Sequence, residues 1–338
     1  MITCPVGPSG SRKSTAINLA TSILAEVPGI NIVANKLSGP SLIDSLDCGM
    51  TTGPDGTIQP ADSMGFIAAS ELSVFLPKSQ YVEEIIPLLT DLFDAKKGPW
   101  KSQTRGHGLR DLMSPTITGL WGSTPDWLET NIPQNAYGGG FMSRIFFIWH
   151  PKTIKSNPLP ETNKQLDRFR KEILAELLWI GENIKGRFEW TDEAKIWYIK
   201  FYEAWNKKAD EDASPQRQGY NNRRPEHLVR VGMNLAVAEN RNLILDVEIL
   251  QMADAALTLI EGVMHKCFET IAPIGLLSKN FRLILEELEK GAKTKRELQR
   301  KLWKNLSATE LSVGLQTFID ANMITTIQIA DSIGYKLV

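Results

Sequence analysis

The stretch Gly7–Thr15, GPSGSRKST, gathers the residue types that hold a triphosphate. Gly7 and Gly10 free the backbone to turn N–H groups inward, and Ser9 and Ser11 keep the loop small and polar. Lys13 offers a cation for β- and γ-oxygens, and Ser14, with Thr15 behind it, offers a hydroxyl ligand for Mg²⁺. A strand before the loop and an amphipathic helix after it are what such a site requires, because the helix presents its positive end to the phosphates. One residue breaks the spacing G-x-x-x-x-G-K-[ST]: Arg12 stands where the second glycine belongs. It fits if its backbone takes ordinary helical dihedrals and its side chain points away from the cradle. The competing reading is a small-residue loop that happens to contain a lysine.

Phosphoanhydride hydrolysis needs a second strand carrying an acid that polarises water. The run GFIAASE supplies Glu71, with Ser70 where an aspartate would touch Mg²⁺ through its shell. A solvated strand-end carboxylate is the alternative. After the apolar run of TGLWGSTPDWL, Ser123 and Thr124 carry hydroxyls able to sense a γ-phosphate, or simply to make a turn. In GGGFMSRIFFIW, Arg144 opens an apolar strand, a poor place for core and a good one for a neighbouring subunit's phosphate. A structural salt bridge is the other reading.

These residues need a sheet to position them. To about residue 150, short apolar runs alternate with helical patterns, which predicts an α/β protein: strands at MITCPV, INIVAN, MGFIAASE, SPTITGLWGST and SRIFFIWH, a turn at GPDG, and a helix at YVEEIIPLLTDLFD. A proline-rich linker follows, then four long helical patterns. From Leu277 onward, three helices and two short strands give a winged-helix pattern. The expected division is 1–150, a P-loop core; 151–276, a helical lid; and 277–338, a winged-helix domain.

The order of phosphate loop, acid strand, polar sensor strand, arginine strand, helical lid and winged helix resembles AAA+ ATPases of the minichromosome-maintenance-like helicase type. It also resembles the primase-helicase-like ATPases of phages and mobile elements. MSRIFFIW is similar to that family's arginine-finger strand, with Arg144 on the finger, and RRPEHLVR to the lid motif R-x-x-E-x-x-x-R, with Arg223 on the sensor-two arginine and Glu226 and Arg230 beside it. The resemblance implies an α/β P-loop fold, ATP and Mg²⁺ as cofactors, a homo-oligomeric, hexameric ring, DNA as partner (single-stranded), and a primase or other replication protein nearby. Arg12 and Ser70 depart from the better-known helicases. Such helicases carry an N-terminal DNA-binding domain, whereas this chain starts at its first sheet strand, so it reads as a motor portion or a shortened relative.

DNA contact is expected between the acid and sensor strands, where Lys96, Lys97, Lys101, Arg105 and Arg110 surround Trp100. In ring helicases a hairpin there grips backbone phosphates; a charged surface loop has the same composition. The winged helix carries most of its cations on its second helix, while the third is almost uncharged. That argues against reading base edges and favours protein docking or loose phosphate contact.

The bulk numbers exclude other classes. A net charge of -1 over 338 residues leaves nucleic-acid binding to local patches. Three scattered cysteines and four scattered histidines argue against a disulfide framework and a zinc site, and suit a reducing compartment. No apolar run reaches membrane length, so a soluble, cytoplasmic protein is expected. The alternative function is a nucleotide-gated DNA- or protein-binding protein with little turnover.

Overall fold

The apolar runs of the first half assemble one sheet. The computed structural model describes residues 1–33, 36–52, 56–76, 80–104, 108–132, 136, 140–150, 164–211, 215–271, 276–329 and 332–338. Strand β1 (Ile2–Val6) leads through the glycine loop into α1 (Lys13–Leu24). Then come β2 (Ile32–Val33), α2 (Gly39–Leu46), a hairpin of β3 (Met50–Thr52) and β4 (Ile58–Pro60), and β5 (Asp62–Ala69). The short α3 (Leu72–Phe75) and α4 (Gln80–Phe93) precede β6 (Pro99–Thr104) and the long β7 (Gly108–Trp121). After α5 (Pro125–Asn131), a 3-10 turn at Met142–Arg144 opens β8 (Ile145–Trp149).

Five of these strands are parallel, in the order β2-β5-β7-β1-β8, and β6 adds antiparallel to the start of β7. Parallel neighbours need crossover connections, which the helices supply, so the fold is α/β. The register places Ile2, Cys4, Val6, Ile67, Ile117 and Phe147 on one face of the sheet, each no more than 1% exposed, and Ala68 and Phe146, 5% and 2% exposed, on the other. Trp121, wholly buried at the end of β7, packs between Phe75 and Phe141, with ring centroids 5.6 and 6.3 Å away. The proline-rich linker at 151–163 lies outside the described residues, as does the GPDG turn at 53–55.

Four long helices follow: α6 (Lys164–Asn183), α7 (Asp192–Glu211), α8 (Pro215–Asn240) and α9 (Val247–Ile271). Two-residue strands β9 (Glu189–Trp190) and β10 (Ile244–Leu245) tie α7 to the α8–α9 connection. These helices and the sheet belong to one compact unit, Met1–Ile271; α9 packs on β8 and α5, and α8 on the 3-10 turn. His227 of α8 sits at that contact, fully buried between Phe146 and Tyr220, its Nε2–H donating to the Ser143 carbonyl at 2.8 Å. Burial lowers its pKa from 6.5 to about 4. The unfolded chain therefore takes up this proton first, and stability falls as pH drops from about 6.5 toward 4. Each pH unit in that window costs up to about 1.4 kcal/mol from this group. Thermal melts from pH 7 to 4.5 are expected to show the loss, and His227→Gln to flatten it.

Ala272–Val338 forms a second unit with its own core of Ile284, Leu298, Leu311, Leu315 and Ile324. It contains α10 (Leu276–Glu289), β11 (Lys293–Thr294), α11 (Lys295–Leu302), α12 (Ala308–Asp320), β12 (Ile324–Ile329) and β13 (Ser332–Leu337). The strands make an antiparallel sheet in the order β11-β13-β12. The sequences TKRE and SATE each close a capping box, Thr294 with Glu297 and Ser307 with Glu310, which fixes where α11 and α12 begin. Among the described residues, no helix is long and apolar enough to cross a membrane.

Candidate active site

The carboxyl ends of the parallel strands converge on one corner. Ser123 N donates to the Pro5 carbonyl and Gly7 N to the Ser123 carbonyl, joining the exits of β7 and β1; His150 N donates to the Val6 carbonyl from the exit of β8. Gly122 N bonds the Ala69 carbonyl and Leu72 N the Gly122 carbonyl, drawing in the exit of β5. Two glycines are needed for this closeness. A Cβ on Gly7 would stand 2.4 Å from the His150 oxygen, and one on Gly122 2.5 Å from the Ser70 oxygen.

Within the loop, the Lys13 ammonium donates to the Gly7 carbonyl at 2.8 Å, the Pro8 carbonyl at 2.9 Å and Ser11 Oγ at 3.1 Å. The cation thus sits in the turn of Gly7–Ser11, at the start of α1. Ser14 Oγ donates to the Ser70 carbonyl at 3.3 Å, so the hydroxyl expected to serve a metal faces the end of the acid strand. Thr15 and Ser9 are exposed. Gly10 has φ +81 with open space around its Cβ direction.

Arg12 departs from expectation. It does not adopt helical dihedrals but takes φ 62, ψ 19, the left-handed region, as N-cap of α1. The loop still demands a glycine-like turn there, and an L-residue pays about 1 kcal/mol of strain to make it. Its side chain is exposed.

Glu71 follows Ser70 at the exit of β5 as N-cap of α3, with extended backbone and no capping bond from its side chain. It makes no ion pair among the described residues, so its carboxylate is uncommitted. Strand β7 lies between β5, which leads to Glu71, and β1, which leads to the glycine loop. Both charges reach the same interior thiol: Lys13 favours and Glu71 opposes ionisation of Cys4, whose pKa burial pushes far up. Thr124 has a structural task, its Oγ1 accepting from Trp127 N at 3.3 Å to cap α5; Ser123 is buried beside it. Among the described residues, no three acidic, histidine or cysteine side chains gather as a metal site. A cation here would rely on Ser14 and on phosphate oxygens.

The two arginines lie elsewhere. Ile2 pairs with Ile145 and Val6 with Trp149, so Arg144 stands at the amino end of β1 while the glycine loop leaves its carboxyl end. Five residues at ~3.3 Å each separate them by roughly 16 Å. Arg144 is not held out beyond the sheet. It is 5% exposed and forks onto Asp94 with Nε–Oδ1 3.1 Å and two Nη2 contacts of 2.9 Å, while Nη1 donates to the Gly140 carbonyl at 2.6 Å. Arg223 joins the same cluster, 3.6 Å from Asp94 and 3.1 Å from Glu226, and Arg230 takes the other oxygen of Glu226. The guanidinium groups of Arg144 and Arg230 lie 5.8 and 4.6 Å from the Phe93 ring centroid. The fold therefore brings Arg144 and Arg223 together and separates both from Glu71.

The basic hairpin is also divided. β6 and β7 pair Lys101 with Asp111 and Ser102 with Arg110, so Lys101 and Arg110 point to opposite faces. Lys101 approaches Asp111 at 3.4 Å, Arg110 bonds Asp44, and Lys96 bonds Asp91. Trp100 is half-buried and donates to Asp91 at 2.6 Å, which fixes the indole edge against the end of α4. Lys97 is exposed, and Arg105 lies outside the described residues. Exposed pairs of this kind are worth at most ~1 kcal/mol and yield readily to a polyanion.

No protein-family model matches the chain, and no curated protein matches its sequence. Reading the sequence missed that Asp94 is the partner of Arg144. It also missed Arg224, 1% exposed, bonded to Glu261 at 2.5 Å and Asp254 at 2.8 Å, with its guanidinium 4.1 Å from the Trp205 ring centroid. The adjacent pair Arg223-Arg224 was the only signal, and nothing in it tells the outward arginine from the inward one.

Proposed function

We propose that the chain is an ATP-driven, ring-forming DNA helicase or translocase motor of AAA+ type, acting in replication of a phage or mobile element. One observation carries the reading. Lys13 and Ser14 after β1, Glu71 after β5 and Thr124 after β7 share the carboxyl corner of a parallel sheet, where such sheets place their ligands.

The residues suit ATP and Mg²⁺. Lys13 already collects three oxygen acceptors inside the loop and has the reach for phosphate oxygens. The first turn of α1 adds N–H donors and a favourable dipole, and Ser14 is the hydroxyl ligand for the metal. Bound ATP supplies a phosphoanhydride whose terminal phosphoryl passes to water. Glu71 orients that water and takes its proton. Thr124 keeps its hydroxyl hydrogen free to donate while its oxygen caps α5. Arg144 and Arg223 stand too far from their own loop to serve it, so their phosphate contacts would be made in a neighbouring subunit. The three helices and small sheet of the second unit fit a winged helix.

A nucleotide-gated binder with little turnover is the second reading, and the buried Arg144–Asp94 pair favours it. Lys13→Ala tests the common part. Loss of two charge-assisted bonds at about 1.5–3 kcal/mol each is expected to weaken ATP binding by roughly 10²-fold or more in a fluorescence titration; unchanged affinity contradicts the assignment. Turnover stimulated by single-stranded DNA separates motor from binder.

A further inference from the structure

We propose that the outer face of α11 and the turn behind it form a binding surface for single-stranded nucleic acid, with phosphates held by Arg296 and Arg300 and a base stacked on Trp303. It deepens the reading of DNA as partner and does not depend on ATP turnover.

The face is defined by the helix period. Leu298 and Leu302 are buried in the core of the second unit. Positions 296, 300 and 303 follow at i, i+4 and i+7 on the side turned away from them, and Trp303 retains helical dihedrals. All three are exposed, Trp303 at 65%. Leaving an indole in water forgoes about 2 kcal/mol of burial, so its position asks for an occupant.

Charge selects that occupant. Glu287 engages Lys290 at 2.5 Å and Lys301 at 2.9 Å, which hold its pKa down at about 2, and Lys293 lies 3.7 Å away. Glu297, the acid within α11, turns back to Thr294 N and Oγ1 at 2.7 and 2.8 Å. Arg296 and Arg300 make no ion pair among the described residues, and Lys304 Nζ lies 5.6 Å from the Trp303 ring centroid. A row of unneutralised cations beside an open aromatic ring matches a backbone with splayed bases. A duplex hides its base faces, and α12, the helix next in line, carries only Glu310 and Asp320 as charges.

The test is fluorescence anisotropy of the full chain with labelled oligo-dT of about 20 nucleotides, without nucleotide, across a salt series. Trp303→Ala is expected to weaken binding about tenfold and Trp303→Phe to retain most of it. The double variant Arg296→Ala, Arg300→Ala is expected to reduce the slope of log affinity against log salt by about 1.4. Because the three side chains are exposed, melting temperatures and basal ATP turnover should not move. If these variants bind like wild type while Lys97→Ala, Lys101→Ala loses affinity, the inference is overturned and the DNA reading stands. A wild-type chain that binds polyglutamate but not oligo-dT overturns the inference in favour of an acidic protein partner. Failure to bind either polymer at low salt overturns it together with the DNA reading.

Discussion

Glu71→Gln is expected to bind ATP as wild type does and to hydrolyse it about 10²- to 10⁴-fold more slowly. The substitution keeps shape and removes only the capacity to take a proton. Binding should survive because the phosphate contacts belong to Lys13 and Ser14 and none is assigned to Glu71. Folding should survive because the Glu71 side chain makes no capping bond to α3. The two acids at the end of α4 are committed elsewhere: Asp91 to Lys96 and Trp100, Asp94 to Arg144. Single-turnover hydrolysis decides the matter, and an unslowed variant would place the base at another residue.

Arg144→Ala is expected to cost in two ways. Asp94 loses a bidentate partner and the Gly140 carbonyl loses a donor, which should lower stability by about 3 kcal/mol, as the breaking of buried pairs does. Asp94 is one-third exposed and keeps Arg223 nearby, which moderates the loss. Assembled protein should also lose most of its hydrolysis, by about 10³-fold or more, with ATP affinity nearly unchanged, because an arginine acting across subunits stabilises charge that develops in the transition state. Arg223, with a side chain 27% exposed against 6% for Arg144, is the more accessible of the two, and its replacement should lower hydrolysis with less cost in stability.

What could be read from the sequence was what neighbouring residues decide. The glycine loop is contiguous, so its spacing alone singles out Lys13 and Ser14 as its cation and hydroxyl. The strands of the sheet are apolar runs, and Glu71 and Thr124 sit where those runs end. The dihedrals of Arg12 were not legible, since closure of the whole turn sets them. Nor was the partner of Arg144: Asp94 lies fifty positions earlier at the end of α4, and in LTDLFD nothing marks it off from Asp91. The hairpin cations were visible as composition, but their division between faces depends on the register of β6 against β7. Strands β9 and β10, two residues each, are too short to show a period.

Turnover of mixed subunits tests the ring motor most directly. Arg144→Ala chains have an intact phosphate loop and lack the arginine; Lys13→Ala chains have the arginine and lack the loop. Each alone should be nearly inactive. Mixed, they should recover part of the wild-type turnover at interfaces where one chain gives Arg144 and the next gives Lys13, and recovery should grow with total protein concentration. If Arg144 serves only its ion pair with Asp94, the mixture stays as inactive as its components at every ratio and concentration. That result would contradict the composite site and leave a monomeric nucleotide binder.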